Sequence, residues 1–224
     1  MKRFLRENSL GLTFGLLFLL VLVGQSFAGL ADFNERQLTS GLEPISYLRY
    51  ITSASFGVDV AENWQSEYLQ FSLYIFLTVW LLQKGSPESK SLDKAGLESD
   101  EDQKVGQFAQ EDSPAWAKVD GFRLTLYSNS LGLVMGLIFL GSWLTQSVAG
   151  VAAFNEEQLS NLQDPVTWAK YLVEPDFWNR TLQNWQSELL AVASMAILSI
   201  YLRQRGSPQS KPVGLPHATT GVEG

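Results

Sequence analysis

Residues Leu10–Leu30 read LGLTFGLLFLLVLVGQSFAGL, without one charged side chain. A helix needs about 20 mostly apolar residues to cross a hydrocarbon core of ~30 Å, so this stretch predicts a transmembrane helix. Leu131–Ala153 is a second uncharged run of that kind. Tyr68–Leu82 (YLQFSLYIFLTVWLL) and Leu189–Leu202 (LLAVASMAILSIYL) are equally apolar but shorter. The expected fold is an all-α membrane protein with four transmembrane helices, near residues 8–30, 64–83, 129–152 and 185–203.

Shifted by 121 residues, the sequence matches itself. From Lys2/Arg123 to Lys90/Lys211, 37 of 89 aligned pairs are identical and no gap is needed. The shared blocks are NSLGL (Asn8, Asn129), QSxAG (Gln25, Gln146), FNExQL (Phe33, Phe154), NWQSE (Asn63, Asn184) and GSPxSK (Gly85, Gly206). Each unit is helix, polar loop, helix. Two spans per unit return the chain to its starting side. The copies are therefore expected as tandem parallel helix–loop–helix repeats with pseudo-two-fold symmetry about the membrane normal. The first repeat covers 1–90 with an outer loop at 31–63, and the second covers 123–211 with an outer loop at 153–184.

Residues 91–122 hold eight acids against three bases and read as a disordered acidic linker. The tail 212–224 reads as disordered too. Lys2, Arg3, Arg6, Lys84, Lys90, Lys118, Arg123, Arg203, Arg205 and Lys211 gather at one end of the spans. By the positive-inside rule both termini and the linker are cytoplasmic and both loops lie outside. Ser26-Phe27-Ala28 before Gly29 resembles a signal-peptide cleavage site. Ser147-Val148-Ala149-Gly150 repeats that pattern in mid-chain, which argues for a retained helix.

The chain has no Cys, one His (His217) and a net charge of −7. Thiol nucleophiles, disulfides and His-based triads are excluded, and imidazole or thiolate metal sites are disfavoured. The acidic balance speaks against nucleic acid. No enzyme activity and no cofactor are expected. The expected partners are the lipid bilayer, a small cation or solute, and a second copy or another membrane protein.

Gly11/Gly15 and Gly132/Gly136 form GxxxG patterns, where small residues let helices approach closely in lipid. Gln25 and Gln146 sit near the outer ends of their spans; each needs an interhelical partner or lines a site. Glu43-Pro44 and Asp164-Pro165 resemble helix starts, and the aromatics after them (Tyr47, Tyr50, Trp168 and Tyr171) fit headgroup depth.

The apolar runs after NWQSE are too short to span alone, which draws Asn63–Glu67 and Asn184–Glu188 to the outer membrane boundary. Trp64 and Trp185 are then interface anchors. Glu67 and Glu188 must face the bundle or water, with Asn63, Asn184, Gln25 and Gln146 nearby. Two readings follow. One is an oxygen-rich site for a hard cation or proton; the other is a structural network that ties the loop to the helix start.

Together the five duplicated blocks resemble those of a family of uncharacterised bacterial membrane proteins, a domain of unknown function. The resemblance covers both halves and implies a bacterial integral membrane protein; with the four spans, the expected place is the inner (cytoplasmic) membrane. It carries no functional residue over. The expected function is binding or passing a cation or solute at the outer face; the alternative is a non-catalytic structural module of the envelope.

Overall fold

The computed structural model describes residues 2–222. It is all-α, with no strand among the described residues. Its helices are α1 (Lys2–Glu7), α2 (Ser9–Thr39), α3 (Tyr47–Ile51), α4 (Ala54–Leu77), α5 (Phe122–Ser128), α6 (Ser130–Ser160), α7 (Trp168–Tyr171) and α8 (Pro175–Tyr201). The chain divides into two compact units. One holds the residues up to Ala61 with Thr145–Glu174; the other holds Glu62–Leu144 and the residues from Pro175 onward.

α2 and α6 are long and apolar enough to cross a membrane, with only 6% and 17% of their most apolar windows buried. Apolar helices this bare suit a solvent as apolar as themselves. α4 and α8 are not of that class, because their first halves carry Asp59, Glu62 and Glu67, or Asp176, Arg180 and Glu188.

At their loop ends the helices extend past the expected spans, and the polar loops shrink to residues 40–53 and 161–174; at the other end α4 stops at Leu77 and α8 at Tyr201, short of the expected 83 and 203. The FNExQL blocks, expected in the loops, continue α2 and α6 for nine and eight residues beyond residues 30 and 152. Locally this follows from an i,i+4 ion pair, Arg36 to Asp32 at 2.8 Å, and from Phe33, which is buried. α2 runs unbroken across Ala28-Gly29. It ends in a Schellman motif: Leu42 N donates to Gln37 O and Gly41 N to Leu38 O, with Gly41 at φ 73°. The same pair of bonds closes α6, with Leu162 in the left-handed position at φ 58°.

The acid–Pro pairs are not helix starts. α3 and α7 begin after Ser46 and Thr167, and the Thr167 hydroxyl accepts from Lys170 N. Residues 91–122 carry turns and two 3₁₀ helices, Gly106–Phe108 and Ala115–Lys118. The tail, described through Val222, returns onto the Gly85–Ser86 segment, where Gly221 N donates to Ser86 O.

Candidate functional site

NWQSE does not cap a helix. It begins at the tenth residue of both α4 and α8, so helix-start satisfaction of Asn and Glu is ruled out. On α4 the buried residues are Gln65 and Ser66, while Asn63, Trp64 and Glu67 are exposed. On α8 the order inverts: Gln186 and Ser187 are exposed, and Asn184, Trp185 and Glu188 are half-buried. The two copies meet through unlike members, Trp185 Nε1 donating to Gln65 Oε1 at 2.7 Å.

Trp185 belongs to an aromatic cluster rather than standing as a lone interface anchor. Its ring lies 5.7 Å from Trp143 and 6.4 Å from Phe139. Trp143 in turn packs on Phe177 and Trp178, each at 6.2 Å. One turn before Trp185, Arg180 joins Glu62 of α4 at 3.2 Å and Asp176 at 3.4 Å. Neither acid has a counterpart in the other repeat, since Glu62 aligns with Gln183 and Asp176 with Ser55.

Glu67 and Glu188 lie two and three residues beyond the Gln65–Trp185 hydrogen bond between α4 and α8. Among the described residues no group of three or more His, Asp or Glu side chains gathers to hold a metal ion. The Asn184 amide donates to Arg180 O on its own helix. Gln25 and Gln146 fall in the other compact unit, Gln25 half-buried and Gln146 fully buried. Of the four GxxxG glycines, Gly132 receives the Phe76 ring of α4, whose Cζ would lie 2.7 Å from an added Cβ. Gly11, Gly15 and Gly136 face open space.

The other blocks build contacts that recur 121 residues apart. Ser26 Oγ and Tyr47 Oη are hydrogen-bonded at 2.9 Å; Trp168 Nε1 donates to Ser147 Oγ at 3.1 Å. Asn34 holds both sides of Ile45, accepting from its N at 2.8 Å and donating to its O at 3.1 Å. Asn155 does the same to Val166, at 2.7 and 2.9 Å. Tyr50 and Tyr171, expected at headgroup depth, are 2% and 0% exposed. They pack on Gly29 and Gly150, and against Phe33 and Phe154. Burial, then the charge of Asp59, holds the Tyr50 phenol above its ordinary pKa.

These blocks therefore fasten each short helix to the C-terminal turns of the long one before it. Asn155→Ala removes both bonds to Val166 and leaves a part-buried peptide unpaired. It is expected to cost about 1–3 kcal/mol, read as a lower melting temperature. Asn155→Asp keeps the acceptor and should lose about half as much.

The GSPxSK blocks also fold alike. Ser89 Oγ accepts from Gln83 N at 2.9 Å, and Ser210 Oγ accepts from Gln204 N at 2.9 Å. The lysines that follow differ. Lys90 reaches Gly96 O at 3.0 Å and Glu98 at 3.1 Å, and its ammonium lowers the Glu98 pKa. Lys211 is 1% exposed; its Nζ donates to Gly85 O at 2.6 Å, His217 O at 2.8 Å and Thr219 O at 3.1 Å.

The whole described chain fits one family model, matched over residues 1–222. The chain belongs to the family described as Domain of unknown function (DUF6766). No curated protein and no solved structure matches it. Membership brings no activity with it, so function must be argued from the contacts above.

Proposed function

We propose that the chain is a non-catalytic, four-span protein of the bacterial inner membrane, with both termini cytoplasmic and an outer site for a small cation or a cationic solute. The carrying observation is the Trp185–Gln65 hydrogen bond that joins α8 to α4, with Glu188, half-buried, and Glu67 following it within one turn on their helices. Two carboxylates that repel one another are stabilised by a cation between them. Support for four spans comes from the exposed apolar faces of α4 and α8, including Phe71, Phe76, Leu190, Ile197 and Leu198. The bases at one end of all four helices support the orientation.

The test is thermal-shift screening and liposome flux across Na⁺, K⁺, Mg²⁺ and Ca²⁺ with the full chain. At least one cation should raise the melting temperature saturably, and Glu67→Gln and Glu188→Gln should each weaken that response about tenfold. A response unchanged in both variants sinks the site. A structural module is the second reading, favoured by the Arg180–Glu62 and Trp185–Gln65 bonds that tie α8 to α4. It predicts that the two carboxylate variants lower expression without altering any cation response.

A further inference from the structure

Gln65 has no exposed surface, yet only one end of its amide is used. Trp185 Nε1 donates to Oε1. An indole has no acceptor to offer, so this bond fixes which end of the amide is oxygen and turns Nε2 elsewhere. Gln65 Nε2 is buried with no acceptor in reach, and so is Trp143 Nε1. Both residues contact the Trp185 side chain, Gln65 by its hydrogen bond and Trp143 by its ring at 5.7 Å. Two orphan donors thus flank one indole. Buried donors are nearly always paired in native proteins, and a site with donors alone calls for an acceptor from outside the chain.

The surroundings define that acceptor. Phe139 lies 5.7 Å from Trp143, and Phe177 and Trp178 complete an aromatic wall. Arg180 is already engaged by Glu62 and Asp176. The nearest other charges along the two helices, Glu67 and Glu188, are negative, which disfavours an anion. A neutral oxygen on an apolar body fits all three conditions.

We propose that Gln65 Nε2 and Trp143 Nε1 together receive the carbonyl oxygen of a neutral, bilayer-soluble molecule, with its apolar part against Phe139 and Trp178. The chemistry is shared by two sources, the acyl ester of a phospholipid and the ring carbonyl of a lipophilic quinone. The inference rests on the membrane reading only for the supply of this molecule, and it is independent of the carboxylate site.

The test uses the full chain in dodecyl maltoside, a detergent without carbonyls, and two pairs of probes. Decylbenzoquinone is compared with decylbenzene, and ester-linked with ether-linked phosphatidylglycerol. In at least one pair the carbonyl-bearing member should raise the melting temperature saturably while its carbonyl-free partner does not. The responding pair names the source. Trp143→Phe, which keeps a ring and loses the N–H, should weaken that binding at least tenfold. Equal behaviour within both pairs overturns the proposal, as does unchanged binding by a folded Trp143→Phe. If that variant fails to fold, the paired probes on the unaltered chain decide. Extraction of native membranes with alkaline carbonate reports the membrane reading separately.

Discussion

Replacing Lys211 with Met should destabilise the protein by about 3 kcal/mol and free the tail beyond it. Met keeps the length and the apolar stem but removes the ammonium. That group has three N–H donors, matched by the carbonyls of Gly85, His217 and Thr219 at 2.6–3.1 Å. Hydrogen bonds to a charged group are worth about 1.5–3 kcal/mol each. They are not additive here, because the tail carbonyls regain water once the tail lifts. Burial itself lowers the Lys211 pKa, and Arg203 adds to the effect, so part of the gain is offset by desolvation. The net figure is therefore nearer to two bonds than to three.

The segment that Lys211 holds is also closed to side chains. Gly85 sits at φ 89°, and a Cβ there would meet His217 O at 2.5 Å and Ile200 Cγ2 at 2.9 Å. Two measurements check the prediction: the melting temperature, and proteinase K cleavage of the segment around Leu215. In the parent Leu215 should resist cleavage, since its N–H donates to Pro212 O and its carbonyl accepts from Arg203. Cleavage at parental rates in Lys211→Met, with an unchanged melting temperature, would show that the knot does not hold the tail.

How far such contacts could be foreseen depends on their range. The duplicated blocks were plain in the sequence, and so were the apolar runs that became α2 and α6. What periodicity could not give was the partner of each block. Asn34 reaches eleven residues ahead to Ile45, and Tyr50 reaches back to Gly29; neither spacing is a helical or strand repeat. The helix ends were misplaced because Asp32, Glu35 and Arg36 look like loop by polarity, although they lie on the exposed face of a helix whose Phe33 packs inward.

Asn63 and Glu67 turned outward on α4, because Gln65 and Ser66 occupy the buried side. Polarity alone did not mark Gln65 as the buried member, whose amide oxygen accepts from the Trp185 indole. The same five letters also do unlike things in the two helices, and identity between copies hides that. Only the neighbours, Glu62 against Gln183 and Asp59 against Arg180, signal the divergence.

Gly29→Ala is the second large effect expected, about 3 kcal/mol, and its rescue tests the packing of the QSxAG block atom by atom. An added Cβ collides with Tyr50 Oη and lies 3.0 Å from Cζ. Overpacking a core usually costs about 1–3 kcal/mol. The upper end applies here because the Tyr50 ring is enclosed by Phe33 and Phe56, at 5.7 and 5.5 Å, and cannot swing aside. Tyr50→Phe deletes the colliding oxygen and leaves the nearest remaining contact at 3.0 Å. The double variant Gly29→Ala/Tyr50→Phe should therefore melt above Gly29→Ala alone, with a coupling of about 1 kcal/mol or more.

The second repeat supplies the control. At Gly150 the Cβ would lie 2.5 Å from Tyr171 Oη but also 2.8 Å from Cε1. Tyr171→Phe removes the first contact and keeps the second, so rescue of Gly150→Ala should be distinctly smaller. Equal rescue in both repeats would mean that the two tyrosines seat alike, and that the difference between the two contacts is not a property of the folded chain.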